Sequence, residues 1–178
     1  MARQKIEIAQ HYDAVIEALT SGGLLLGSYD AAGKANIMTI GWAALGEIWG
    51  MGIWIVLVRP SRYTYQCIEH SGCFTVNVPR RSMGAVCATC GSKSGRDIDK
   101  FAECSLTEVK SESVGAPIVD ECPIVYECTV VHSNDVLPDK LANEILTGPY
   151  VGGDFHRVYF GKVLAASAEP NAVELLKR

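Results

Sequence analysis

The sequence predicts a mainly β fold with helical insertions, an antiparallel barrel that closes fully or in part. Three observations predict it. Six or so extended runs follow one another along the chain, with helices between them and at the start. An early hairpin and two adjacent late runs leave too few strand–helix–strand units for a doubly wound parallel sheet. No GxGxxG stands in the chain to mark a dinucleotide-binding turn.

The elements are justified in chain order. From His11 to Leu19, the residues Tyr12, Val15, Ile16 and Leu19 share one face at helical spacing, and Gly22-Gly23 ends the segment. LLLGSYDAAGKANIMTIGW, residues 24–42, reads as two strands around a turn at Asp30 to Lys34, where small residues let the chain reverse. EIWGMGIWIVLV, residues 47–58, reads as a third extended run, with Gly50 and Gly52 marking a bend or bulge and Pro60 stopping it. SRYTYQCIEHSG predicts a helix with Ser61 as N-cap, Tyr65, Cys67 and Ile68 facing inward, and Gly72 as the stop. CFTVNVP alternates as a strand does, and SMGAVCATCG and RDIDKFAEC read as two short helical pieces around a glycine-bearing loop. PIVYECTVVHS and HRVYFGKVLAA are the last two strands, separated by a long connection that holds Pro138 and GPYVGG.

Composition bounds the function. The 178 residues are 48% hydrophobic and 20% charged, enough for one sizeable core, and the whole chain, 1–178, reads as a single domain. A formal charge of −4 argues against a general nucleic-acid binder, which needs a basic excess to neutralise phosphates. The longest apolar stretch, Ile48 to Val58, is too short to span a bilayer, and MARQKIEIAQ lacks the apolar segment of a secretory signal, so no membrane partner and a cytoplasmic location are expected. Seven cysteines, an odd number spread through strands and helices, read as reduced, with Cys67, Cys73, Cys122 and Cys128 as small core hydrophobes.

Candidate chemistry concentrates in two stretches. RPSRYTY, residues 59–65, brings Arg59, Ser61, Arg62 and Thr64 to the expected start of a helix, where free amides and the macrodipole attract an anion. The plainer reading is an ordinary helix start with exposed arginines. GSKSGRD, residues 91–97, lacks the order of a Walker loop but offers glycines, two serines and two basic residues to an anion, with Lys100 downstream either over that anion or paired with Asp97. A solvated turn is its plainer reading. Cys87 and Cys90 form a CxxC, but no second ligand pair accompanies it for zinc, and it sits at a helix end rather than at the helix start used by dithiol redox sites. No metal site is expected. His11 and His70 read as surface residues, and His156, between Asp154 and Arg157, serves either structure or site.

Taken together, NIMTIGW at 36–42, VRPSRYTY at 58–65, FTVNVP at 74–79, CGSKSGRDIDKF at 90–101 and DFHRVYFGKV at 154–163 occur in the order of one known family. Over about residues 20–166 the chain resembles the flavin reductase-like, FMN-binding split-barrel family, its flavoredoxin branch in particular. The resemblance implies a homodimeric split β-barrel that holds FMN non-covalently near the subunit interface. It implies that Asn36, Thr39, Ile40 and Trp42 border the isoalloxazine, and that Arg59, Ser61, Tyr63 and Thr64 line the ribityl-phosphate side. Gly91, Ser94 and Lys100 complete that pocket from the second loop, and His156 approaches the flavin. Cys87 and Cys90 then become incidental. Gly41 departs from the pattern, standing where many relatives carry serine.

The function so implied is an FMN-dependent oxidoreductase, in which NAD(P)H delivers hydride to flavin N5 and the reduced flavin passes electrons to an acceptor that the sequence does not identify. A carrier that keeps its FMN and exchanges electrons with another protein is the nearest alternative. A split-barrel binding protein without flavin turnover is a third.

Overall fold

The computed structural model of the chain describes residues 2–177. Its strands are β1 (Gln4–Lys5), β2 (Leu24–Tyr29), β3 (Ala35–Ile40), β4 (Ala43–Ile48), β5 (Met51–Val58), β6 (Cys73–Val78), β7 (Glu108–Lys110), β8 (Pro117–Val119), β9 (Ile124–Asp135) and β10 (Arg157–Ala168). The helices are α1 (Tyr12–Ser21), α2 (Tyr63–Ser71), α3 (Gly84–Ser92), α4 (Lys100–Glu103), α5 (Asn143–Thr147) and α6 (Ala172–Leu176). The main sheet runs in the order β3-β2-β6-β9-β10-β5-β4, with β1 added to β10, and every pairing in it is antiparallel. Strands β7 and β8 form a separate two-stranded piece.

Why the early strands read as unbroken apolar runs follows from where their faces go. On β2, Leu24 and Leu26 enter the larger core with Trp54, Phe74, Val76 and Tyr126, while Leu25 between them enters a second core with Ile37, Cys90, Phe101 and Val125. A strand covered on both faces loses the polar alternation of a half-exposed one. The larger core fills the barrel, and the second lies between the sheet and the helices α3 and α4.

The expected single run at 47–58 is corrected to part of a hairpin. Strands β4 and β5 pair from Ala43–Val56 to Ile48–Met51 around a two-residue turn, Trp49-Gly50. Both turn residues have positive φ, 57° and 68°, the geometry that matches the right-handed twist of the flanking strands. Tryptophan is not a residue that announces such a turn, so the chain reversal was hidden. Gly52 is no bulge: it pairs in register with Glu47, and a Cβ there would run into Ile8. The irregularities of the barrel fall instead in the β9–β10 pair, at Phe160/Gly161 and Val163/Ala165.

The edge strands β3 and β4 are not hydrogen-bonded to each other; they are joined by Gly41-Trp42 alone. The barrel is thus split along that seam. Helix α2 opens beside the seam, immediately after β5, and the loop that follows α3 packs across from it.

Candidate functional site

Two cavities meet at the seam. One, of about 300 Å³, is bounded by the start of α2, the loop after α3 and Lys100; the other, of about 200 Å³, is bounded by the end of β3, Gly41-Trp42, the end of β5 and His156. Met38, Thr39 and Arg62 line both.

The first cavity is rich in donors. Helix α2 begins at Tyr63, with Arg62 extended (φ −76°, ψ 140°) as its N-cap and no side chain closing the cap. The amides of Tyr63 and Thr64 have no acceptor among the described residues, as expected of an uncapped first turn. This corrects the expectation for Ser61: it lies one residue before the N-cap, and its hydroxyl donates to Asp154 Oδ2 at 2.5 Å. Thr64 Oγ1 accepts from Asn36 Nδ2 at 2.8 Å. Opposite, Arg96 donates to Ser61 O at 3.0 Å and stacks over Tyr63, which locks the loop onto the start of the helix. Lys93 pairs with Glu103 at 2.6 Å. Lys100 does not pair with Asp97; it is buried at the wall of this cavity, donates to Cys90 O at 2.8 Å, and desolvation pulls its pKa down. Among the described residues the side chain of Arg62 has no hydrogen-bond or ion-pair partner, which leaves one uncommitted cation where the cavities join.

The second cavity is walled by Trp42, Ile40, Leu57 and His156. Arg59 faces this chamber and not the first. Its guanidinium donates to Gly153 O (3.0 Å), Asp154 O (2.8 Å) and Pro149 O (3.1 Å), and it lies over the rings of Trp42 and Tyr150. It therefore ties the 149–154 loop down onto the seam. His156 packs against Trp42, with ring centroids 4.8 Å apart, and its Nδ1 is 2.8 Å from Tyr150 Oη.

Burial first, and then the charge of Arg59, push the His156 pKa down to about 4. The imidazole is thus neutral at pH 7, when a free histidine is already mostly so. The unfolded chain takes up its proton near pH 6.5 while the folded chain does not until about 4, so this contribution to stability is complete above pH 6.5 and is lost as pH falls toward 4. Thermal melts between pH 7 and 4 are expected to fall less steeply for His156→Gln than for the native chain.

Of the residues singled out in the sequence, Ser61, Tyr63, Thr64, Gly91, Ser94 and Lys100 line the first cavity, Ile40, Trp42, Arg59 and His156 the second, and Thr39 both. Asn36 lines neither; it stands behind Thr64. Met38, Leu57 and Tyr150 escaped the sequence reading. Two of them sit inside apolar strand runs that read as core, and Tyr150 sits in a loop whose position no pattern specifies.

Cys87 and Cys90 are free thiols buried in the second core, and burial raises both pKa values. No group of three or more metal-ligating side chains occurs among the described residues. Cys87→Ser is expected to lower stability by about 1–2 kcal/mol, through burial of a hydroxyl, and to leave flavin affinity within about twofold. A chemical melt and a flavin titration check both. No helix among the described residues is long and apolar enough to cross a membrane.

Known proteins resemble this chain in sequence and in fold. A protein of Archaeoglobus fulgidus with no assigned role is 34% identical over 131 residues, 74% of this chain and 64% of its own. The Escherichia coli K12 protein YddH is 33% identical over 99 residues, 55% of this chain and 52% of its own. The chain thus aligns with less than two thirds of the length of these curated relatives. The flavoredoxin of Desulfovibrio vulgaris superposes with a TM-score of 0.69 at 28% identity, covering 84% of this chain and 70% of that one. The flavoredoxin of Methanosarcina acetivorans superposes with a TM-score of 0.68 at 27% identity, covering 84% and 69%. The family model described as "Flavin reductase like domain" matches residues 16–176. With the split antiparallel barrel and the paired cavities at its seam, that match places the chain in the flavin reductase-like domain family, alongside flavoredoxins.

Proposed function

We propose that the chain, a single domain over 1–178, is an FMN-dependent oxidoreductase that takes electrons from NAD(P)H and passes them to free flavin or another acceptor. The observation that carries this reading is a pair of adjoining cavities that share Met38, Thr39 and Arg62, one at the open start of α2 and the other beside the Trp42 and His156 rings. A phosphate needs charge-assisted donors, and the first cavity has the free amides of Tyr63 and Thr64 with Ser94, Lys100 and Arg62 around them. An isoalloxazine needs flat apolar surface together with polar groups for its ring nitrogens and carbonyls, and the second cavity sets Ile40, Trp42 and Leu57 beside Thr39, Arg59, Arg62 and His156. The residues fit the cofactor. Gly91 and Ser94 let the loop backbone approach the phosphate end, Ser61 and Arg59 hold the loop around Asp154 over the seam, and Tyr63 is anchored through its hydroxyl to Asp30 at 2.8 Å.

Bound FMN supplies the electron-transfer chemistry; the side chains bind, orient and shield it. Neutral His156, fixed by Tyr150, leaves its second ring nitrogen for a polar contact in the ring chamber. The half-exposed Trp42 offers a flat surface beside the mouth, where a nicotinamide or an acceptor would approach.

The test is anaerobic mixing of FMN-loaded protein with NADH and, separately, NADPH. Loss of the oxidised flavin absorbance at a rate comparable with steady-state oxidation supports the oxidoreductase. A flavin that stays oxidised with both nucleotides, yet is reduced by dithionite, favours the electron carrier.

The proposed assembly is a cytoplasmic homodimer. Trp49 is 59% exposed and contacts the rings of His132 and Phe160 on the outside of the barrel, with edge strand β4 open beside it. An apolar patch next to a free strand edge is the kind of surface a second copy covers. Light scattering at micromolar concentration is expected to give twice the chain mass; a monomer with FMN bound contradicts the dimer.

A further inference from the structure

Asn36 does not touch either cavity, and its bonding is one-sided. Its Nδ2 donates to Thr64 Oγ1 at 2.8 Å, while its Oδ1 is buried with no hydrogen-bond partner among the described residues. Only 4% of Asn36 is exposed. The amide could be reversed only at a cost, because the Oδ1 position lies against the Cα of Gly95, close enough that a Cβ on Gly95 would collide with it. An oxygen tolerates a Cα–H there; an NH₂ would press its hydrogens against that C–H. The contact therefore fixes the direction of the Asn36–Thr64 bond.

That direction has a consequence for Thr64. A hydroxyl that accepts from Asn36 keeps its own proton for another acceptor, and no carbonyl or carboxylate among the described residues takes it. Thr64 lines the first cavity. We propose that Asn36 is a positioning residue that holds the Thr64 hydroxyl as a donor into this cavity, and so sets the preference of the site for a phosphorylated over a dephosphorylated flavin. The inference rests on the reading of that cavity as the phosphate end of FMN. It moves Asn36 from the ring side, where the resemblance put it, to the support of the phosphate side. One buried amide then links β3, the start of α2 and the 91–97 loop.

The experiment is a double-mutant cycle read as the ratio of riboflavin to FMN dissociation constants, each measured by flavin fluorescence quenching. Thr64→Val keeps the shape of the side chain and removes the donor, and is expected to cut the FMN preference by about tenfold to a hundredfold. Asn36→Ala is expected to cut it by about threefold to tenfold in the native background, and by less than about twofold in the Thr64→Val background. Asn36→Leu keeps about the size of the side chain, carries no charge and can neither donate nor accept, so it is expected to cut the preference by about threefold to tenfold, as Asn36→Ala does; this arm decides the matter if Asn36→Ala fails to fold. Additive losses in the double variant, equal weakening of FMN and riboflavin by Asn36→Ala, or an Asn36→Leu protein that keeps its full preference would each overturn the inference and leave the phosphate reading standing. Equal affinity of the native protein for the two flavins would overturn both.

Discussion

Gly95→Ala is expected to weaken FMN binding by about tenfold to a hundredfold while the barrel stays folded. The added methyl would collide with Asn36 Oδ1 and stand 3.0 Å from Tyr63 Cδ1. Neither neighbour can retreat: Asn36 is buried and bonded to Thr64, and Tyr63 is held by Asp30 through its hydroxyl and covered by Arg96. The loop has to move instead, carrying Ser94 and Arg96 away from the start of α2. Backbone conformation is not what demands glycine here, since Gly95 does not adopt positive φ. The loop contributes no side chain to either core from 91 to 97, so the melting temperature should change by only a few degrees. A flavin titration paired with a thermal melt separates the two effects, and native affinity in the variant would mean that the loop does not close the cavity.

The largest effect on the fold itself is expected at Trp54. It is fully buried in the barrel core, edge-on to Tyr126 with centroids 5.5 Å apart. Trp54→Ala should cost about 3–5 kcal/mol, through lost contacts and the cavity left behind. Trp54→Phe should cost far less than its change in volume suggests. Trp54 Nε1 is buried without a hydrogen-bond partner among the described residues, and phenylalanine removes that unsatisfied donor along with the lost volume. Denaturant unfolding of both variants tests this. A phenylalanine variant as unstable as the alanine one would mean that shape, and not the unpaired N–H, dominates at this position.

How far the sequence could be read depends on how local each signal was. The β2–β3 hairpin was legible because Asp30 to Lys34 is a turn that its own residues specify, Asp30 accepting from Ala32 N and Lys34 N. The β4–β5 hairpin was not, because its turn puts a tryptophan at positive φ and the apolar pattern runs straight through it. Strands β1, β7 and β8 are two or three residues long, below what periodicity can register. At the site, residue type indicated which stretches converge but not how each side chain is spent. Ser61 and Arg59 have the chemistry of a phosphate site, yet both are committed to the 149–154 loop, an arrangement set by contacts about ninety residues apart in the chain. Arg62, close beside them, has no hydrogen-bond or ion-pair partner among the described residues.

The most direct test of the central claim is the visible absorption spectrum of the purified protein, before and after addition of FMN and removal of the excess. Occupation of the paired cavities predicts a yellow protein that retains about one FMN per chain, with its visible bands shifted from those of free flavin by the protein groups around Trp42, Leu57 and His156. A colourless protein that releases all added FMN on desalting would contradict it.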